Sequence, residues 1–378
     1  MLIQRCDGVY NCADESDELD CHIVELNEER YQKQLPPEVS GSQVVVNVSI
    51  FVLNIEKIEL PSTFHAKVEV TLSWKDYRLT YHDLHEDNII DTETKQKLWI
   101  PPLLFSNSNE NRKIRDDEKT TLSITKSANP QLVDLTKLHE TYVYKGSENP
   151  LNYHREHFMI FNCPYNLLYY PFDNQVCTID LKLSKFDKRY VKLVPSLTGN
   201  KGPKNLDQFV VTSVKLDAND NSSLIQCIIH MKRVSLYFIA TTFMPTICIM
   251  FMALITLFID QSHFEANIMV ALTAMLVMYT LFQSIAVNLP TTAYLKLLDY
   301  WLIFGLIMPF FVFTAEVINQ LVIERDSRSQ VRNNRGMYDE EYCDTKFMMW
   351  ARCILPLISI GYLLGYIILV FIVNFNIL

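Results

Sequence analysis

Residues 234–259 read VSLYFIATTFMPTICIMFMALITLFI and residues 266–287 read ANIMVALTAMLVMYTLFQSIAV; neither run carries a charge. Crossing a hydrocarbon core about 30 Å thick takes roughly 20 apolar residues in a helix, and both runs are long enough. Tyr300 to Ile323 and Cys353 to Phe375 are further runs of this kind, the first with Glu316 inside it. Four such segments leave no polar face for water, which argues against a soluble bundle. The polar segment 324–346 carries Arg325, Arg328, Arg332 and Arg335, whereas only Lys296 is basic between the second and third runs. Counting Lys and Arg places the Arg-bearing loop inside the cell, and four spans then place both termini outside.

The second run differs from the others. Glu265, Met269, Thr273, Leu276, Thr280, Gln283 and Val287 recur at steps of three and four, which puts them on one helical stripe. Facing lipid, its polar members would be costly. Facing a water-filled axis, a ring of Glu265 would favour cations and a ring of Leu276 would block them by dewetting. The competing reading is a bundle-facing helix that uses Thr and Gln as interhelical glue. Spacing alone leaves both open.

Ahead of the spans the pattern is β. Val44 to Val52, Lys67 to Trp74, Gln175 to Leu183 and Leu224 to Val234 read as strands, separated by Asn, Asp, Gly and Pro. Short strands of this kind over about 200 residues suggest a β-sandwich. Two N-glycosylation sequons, at Asn47 and Asn221, and the cysteines Cys163 and Cys177 fall in this part and favour an extracellular setting. The formal net charge of −9, with no basic stripe, gives no support to nucleic-acid binding. No paired carboxylates lie within the spans, and neither H-E-x-x-H nor G-x-S-x-G occurs, so a membrane enzyme has no visible chemistry. Met1-Leu2-Ile3-Gln4 is too short for a secretory leader, so a longer natural N-terminus is expected.

Cys163 and Cys177 enclose thirteen residues that include Tyr170-Pro171-Phe172-Asp173. This loop resembles the signature of the Cys-loop receptors, the pentameric ligand-gated ion channels, in which F-P-F-D is usual. Trp74-Lys75-Asp76-Tyr77-Arg78-Leu79, Trp99-Ile100-Pro101, Lys232-Arg233 before the first span, Pro245 within it and Asn288-Leu289-Pro290 follow in the family's order. The resemblance runs from about Val39 to Leu378. It implies an immunoglobulin-like β-sandwich, the ligand-binding domain, over 26–233, and a four-helix transmembrane pore domain over 234–378 with a short intracellular loop, 324–346. It also implies a Cys163–Cys177 disulfide, in a ring whose closure is worth on the order of 3 kcal/mol. At the domain junction it implies a gating interface of Glu56, Lys57, Phe172, Asp173, Arg233 and Pro290. There Arg233 pairs with Asp173 or Glu56, and the loop and the Ile55–Ile58 turn press on the Asn288–Thr291 linker. The implied assembly is a homo- or heteropentamer in the plasma membrane, multi-pass, passing monovalent cations when a small extracellular ligand binds. Glu265 stands at the inner mouth and Leu276 at the gate, with Met269 a second constriction. Anion-conducting members resemble P-A-R before the pore helix, where this chain has Glu265-Ala266-Asn267.

The aromatic cage that holds amines in the family is not matched. Glu69, Ser106 and Ser184 stand at its positions, with Phe105 and Phe186 close by. The expected ligand is therefore not a standard amine transmitter, although Glu69 offers a cation an anchor. His82, His85, His154 and His157 are candidate proton sensors. A non-conducting or accessory subunit is the alternative.

Cys6 to Cys21 resembles the second half of an LDL-receptor class A module, assigned to residues 1–25. That resemblance implies a Cys6–Cys21 disulfide and calcium ligands from Asp7, Val9, Asn11, Asp17 and Glu18, hard oxygen donors suited to the ion. No other cofactor is implied. The module also raises an adhesion receptor as a rival, although such a receptor would have no use for a polar stripe in a second span.

Overall fold

The computed structural model describes residue 13 and residues 23–27, 29–37, 41–60, 62–85, 88–108, 120–129, 131–132, 142–183, 189–219, 224–259, 263–332 and 346–376. The LDL-like expectations on Cys6, Asp7, Val9, Asn11, Asp17, Glu18 and Cys21 fall outside these residues, as do Asn221, Ser184 and Phe186. The chain forms two compact units.

The first unit is built of strands β1 (Val24–Glu25), β2 (Val44–Glu59), β3 (Thr63–Trp74), β4 (Thr80–His82), β5 (Asn88–Ile89), β6 (Leu103–Phe105), β7 (Thr120–Ile124), β8 (Gln131–Leu132), β9 (Tyr142–Lys145), β10 (Leu151–Asn162), β11 (Asn174–Leu183), β12 (Val191–Asn200), β13 (Phe209–Asn219) and β14 (Leu224–Arg233), with one short helix, α1 (Thr92–Lys97). They pair into sheets of order β12-β2-β3-β10-β7-β5, β13-β14-β11-β6 and β1-β4-β9-β8. Alternation decides which face is core. On β3, Phe64, Ala66, Val68, Val70, Leu72 and Trp74 are buried, and His65, Lys67, Glu69 and Thr71 face the other way. On β14, Ile225, Cys227, Ile229 and Met231 repeat the pattern. Trp74 meets Trp99 edge to face, 5.9 Å between centroids.

The expected Ile55–Ile58 turn is a correction. β2 continues through these residues to Glu59, with register shifts against β3 between Val52 and Asn54 and between Ile55 and Lys57. Such irregularities let a strand bend without ending, and the connection to β3 comes at 60–62 instead.

The second unit holds the helices together with Tyr165–Gln175 and Gln208–Val210. The first span is one continuous helix, α2 (Leu236–Phe238), a π turn (Ile239–Phe243) and α3 (Met244–Thr256). The π turn has a cause in Pro245, which lacks an N–H and crowds the carbonyl a turn earlier. The hydroxyl of Thr246 donates to Thr242 and Phe243 carbonyls, both at 2.9 Å, and accepts from the indole N–H of Trp301 at 2.8 Å. The other spans are α4 (Phe264–Asn288), α5 (Leu297–Arg332) and α6 (Lys346–Asn376), so all four expected runs are helices long and apolar enough to cross a membrane. The segment expected to be a loop from residue 324 begins as helix, because α5 runs on to Arg332.

Gly146 shows how tightly the first unit closes. A Cβ there would lie 2.1 Å from the Asp76 carbonyl oxygen and 2.8 Å from that of Leu79, and backbone atoms do not yield cheaply. Gly146→Ala is expected to cost about 1–3 kcal/mol or more, read as a lowered thermal midpoint of the purified protein.

Candidate functional site

The loop between Cys163 and Cys177 carries a dense set of directed contacts. Cys163 and Cys177 are joined by a disulfide, Cα atoms 5.3 Å apart. Between them Asp173, 2% exposed, accepts from Arg233 Nε at 2.7 Å and from its second terminal nitrogen at 3.1 Å. The Arg233 backbone N–H donates to the Asp173 carbonyl at 3.2 Å, and its other terminal nitrogen donates to Gln208 Oε1 at 3.0 Å. The guanidinium lies over the rings of Phe209 at 4.2 Å and Tyr170 at 4.7 Å. Gln175 Nε2 donates to Asp173 Oδ2 and to the Asn166 carbonyl. Burial pushes the Tyr170 hydroxyl up to about 12, with Arg233 opposing the shift.

The same loop caps a transmembrane helix. Leu168 and Tyr170 carbonyls accept from the backbone N–H groups of Leu297 and Leu298, at 2.8 and 3.2 Å, where α5 begins. Helix N-terminal donors have no intrahelical partner, so the loop supplies what α5 lacks. The Leu167 N–H donates to the Tyr294 hydroxyl at 3.1 Å. Tyr170 meets Phe238 at 5.2 Å and Phe172 meets Phe243 at 5.9 Å, tying the loop to the first span. Of the two partners expected for Arg233, Asp173 is the one found. Glu56 and Lys57 are exposed, and Lys57 pairs with Glu59 at 2.8 Å. The loop's bonds reach Tyr294, Leu297 and Leu298, beyond the expected Asn288–Thr291 linker, while Pro290 is half-buried. Gln208, Phe209 and Tyr294 were missed in sequence. Their signal was slight: a lone amide and two aromatics with no spacing that links them to Asp173.

On α4, Glu265, Met269, Thr273, Leu276, Thr280, Gln283 and Val287 are all exposed, and Val287 is 82% so. The opposite stripe, Asn267, Ala271, Ala274 and Met278, is buried against the other helices. The hydroxyls of Thr273 and Thr280 donate to carbonyls three residues back on their own helix, Val270 and Val277, and Gln283 donates to Tyr279 on the same helix. These bonds satisfy the polar side chains locally. The glue reading would need them on the buried side.

Of the expected ligand residues, Glu69, Phe105 and Ser106 are described. Both oxygens of Glu69 accept from Lys201, at 2.8 and 2.9 Å, and His154 Nδ1 lies 3.6 Å from Oε1. Glu69, the residue expected to offer a cation an anchor, is thus paired with a lysine of its own chain. Phe105 packs edge to face on His157 at 5.0 Å and Phe161 at 5.6 Å, as part of the packing. The backbone N–H of Ser106 donates to the Asp180 carbonyl at 2.9 Å. His82 lies 2.9 Å from Glu25. Among the described residues no group of three or more His, Cys, Asp or Glu is placed to hold a metal.

The family model described as neurotransmitter-gated ion-channel ligand binding domain matches residues 21–239. The chain is 22% identical over 307 residues to a gamma-aminobutyric acid receptor subunit beta-like of Drosophila melanogaster, covering 75% of this chain and 57% of the relative. It is 24% identical over 345 residues to gamma-aminobutyric acid receptor subunit beta-4 of Gallus gallus, covering 84% and 66%. The chain thus spans less than two-thirds of the length of either relative.

The buried pair makes a sharp expectation. Removing one partner of a buried ion pair costs about 3–5 kcal/mol, whereas replacing both by apolar groups is often neutral. Asp173→Leu is expected to lose folded protein, and the double variant Asp173→Leu/Arg233→Met to regain most of it, read as thermal midpoint and surface yield.

Proposed function

The chain belongs to the neurotransmitter-gated ion-channel family, and from that premise we propose that it is one subunit of a pentameric, ligand-gated, cation-selective channel. Members of the family are not enzymes; the chain is a multi-pass plasma-membrane protein with its ligand-binding domain outside the cell. The reading is carried by one observation: the polar-and-leucine stripe of α4 is exposed along its whole length, while Asn267, Ala271, Ala274 and Met278 are buried. Five such stripes around an axis would line a wet path, with Leu276 as the narrow apolar ring and Glu265 as the charged one. An apolar groove of about 610 Å³, lined by Leu272, Met275, Leu276, Tyr279, Leu306, Ile307 and Phe310 and so including Leu276 of the stripe itself, suits the flank of a neighbouring subunit. Asn267 is buried and uncharged, so Glu265 sets the sign of the inner mouth, and monovalent cations are the permeant ions.

In this mechanism a small extracellular ligand binds between adjacent sandwiches and the Cys163–Cys177 loop moves. The loop draws on α5 through Leu168 and Tyr170 and on the first span through Phe238 and Phe243, and the α4 helices tilt. A second reading, a non-conducting or accessory subunit, is favoured by the Lys201–Glu69 pair standing where an amine cage would be. Calcium in the N-terminal segment is proposed on its acidic ligand set alone.

Leu276→Ala shrinks the proposed gate. A severalfold rise in whole-cell leak is expected, with a reversal potential that follows sodium when sodium is replaced by a large cation. A reversal potential that follows chloride would overturn the selectivity. Surface-expressed pentamers without current would favour the accessory reading. Asn47 is exposed on β2 and is proposed to carry a glycan; Asn47→Gln is expected to migrate faster on a denaturing gel, by the same step as enzymatic removal of its N-glycan.

A further inference from the structure

Alternation puts Val45 and Asn47 of β2 on the face turned away from the core, since Val44, Val46 and Val48 are buried. Ser73 of β3 is the cross-strand partner of Asn47 and shares that face. At this end of the two strands lies a groove of about 410 Å³, lined among others by Val45, Asn47, Ser73, Lys75, Tyr77 and Ser147. The segment ahead of β2 and the connection into β10 contribute to it as well, so the groove gathers three separate stretches of the first unit.

Two of these side chains are large and apolar yet open to water, Val45 at 50% and Tyr77 at 48%. Lys75, Ser73 and Ser147 add an ammonium and two hydroxyls. Apolar surface with a few polar groups suits a small amphipathic molecule. A pyranose ring is of that kind: its C–H faces pack on a ring such as tyrosine, and its hydroxyl and acetamido groups take hydrogen bonds. Asn47 is the acceptor of the sequon Asn47-Val48-Ser49, and it is exposed and lines the groove. A sugar joined to its Nδ2 therefore starts inside the groove. A tether of that length gives an effective concentration on the order of millimolar or above, so contacts too weak to hold a free sugar are enough to hold this one.

We propose that the groove is the seat of the chain's own N-glycan: the two N-acetylglucosamine residues nearest Asn47 lie in it, against Tyr77 and Val45, with their polar groups toward Lys75, Ser73 and Ser147. The inference rests on the glycan reading of Asn47 and is independent of the pore. The sugar comes from a polyprenyl-pyrophosphate-linked oligosaccharide. Nδ2 forms a bond to the first sugar's C1 and loses a proton, while the bond from C1 to the pyrophosphate oxygen breaks and the lipid pyrophosphate leaves. Once seated, the glycan core covers the exposed Val45 and Tyr77 side chains and ties the segment ahead of β2 to the β2–β3 pair and to the approach to β10.

The deciding experiment uses the full chain in nanodiscs, made in cells that keep N-glycans oligomannose and carrying Asn221→Gln, so that Asn47 holds the one remaining sequon. The probe is an endoglycosidase that cuts between the two core N-acetylglucosamines. Native protein is expected to be cut at least about tenfold more slowly than denatured protein, the factor given by a core that is docked nine-tenths of the time. Tyr77→Ala, and Lys75→Ser as a second variant, are expected to bring the native rate close to the denatured one. The melting midpoint of protein left with a single sugar is expected to exceed that of Asn47→Gln by at least about 2 °C, and Tyr77→Ala to remove at least half of that difference. Native cleavage as fast as denatured overturns the seat, as does resistance that survives both substitutions in folded protein. Absence of any mobility step at Asn47 sinks the glycan reading and the seat together, whereas a glycan that is present and freely cut sinks the seat alone.

Discussion

Arg233 is the last residue of β14, and the first transmembrane span begins three residues later. A charge at that point must be neutralised or solvated, and it is neither near water nor free to leave. Asp173 provides the countercharge, Gln208 a further acceptor, and the Tyr170 and Phe209 rings a surface on which a guanidinium is held by its flat faces. Because Asp173 sits in the disulfide-closed loop, placing Arg233 also places the loop. The loop's carbonyls then complete the N-terminus of α5. One buried ion pair thus fixes the start of one membrane helix directly and a second helix through backbone hydrogen bonds.

The helices follow from a simpler constraint. In lipid every backbone group is satisfied within the helix, so side chains alone decide which face turns where. Ala271 and Ala274 are small enough for close approach, and with Met278 they mark the face of α4 that packs. The opposite face keeps its hydroxyls and amide, which bond to their own helix and so stand in no need of a neighbour.

Much of this was legible in sequence because the signals were periodic. The spans announced themselves by length and absence of charge. The alternation of Lys67 to Trp74 gave β3, and the steps of three and four gave the α4 stripe. The Asp173–Arg233 pair was legible through family motifs. What escaped was tertiary. No spacing rule places Gln208, Phe209 and Tyr294 beside the loop, since their contacts with it bridge separations set by the whole fold. The turn expected at Ile55–Ile58 failed because strand irregularities let β2 absorb polar residues that look like a break. The inward reach of α5 to Arg332 was hidden because charged residues in a helix and in a loop look alike without a packing face.

The sheet face that carries Glu69 is closed by its own ion pairs. Glu69 and Glu156 lie directly opposite each other across β3 and β10, an arrangement that is unfavourable unless each is separately neutralised. Lys201 meets Glu69 and Lys67 meets Glu156, the latter at 2.7 Å. Lys201 also lies over the Phe51 ring, 4.1 Å from its centroid. The aromatic face and the carboxylate that an external amine would use are thus both engaged by a lysine of the same chain. A cationic ligand would have to displace a tethered ammonium that carries no translational cost of binding, so at equal contacts the internal cation wins.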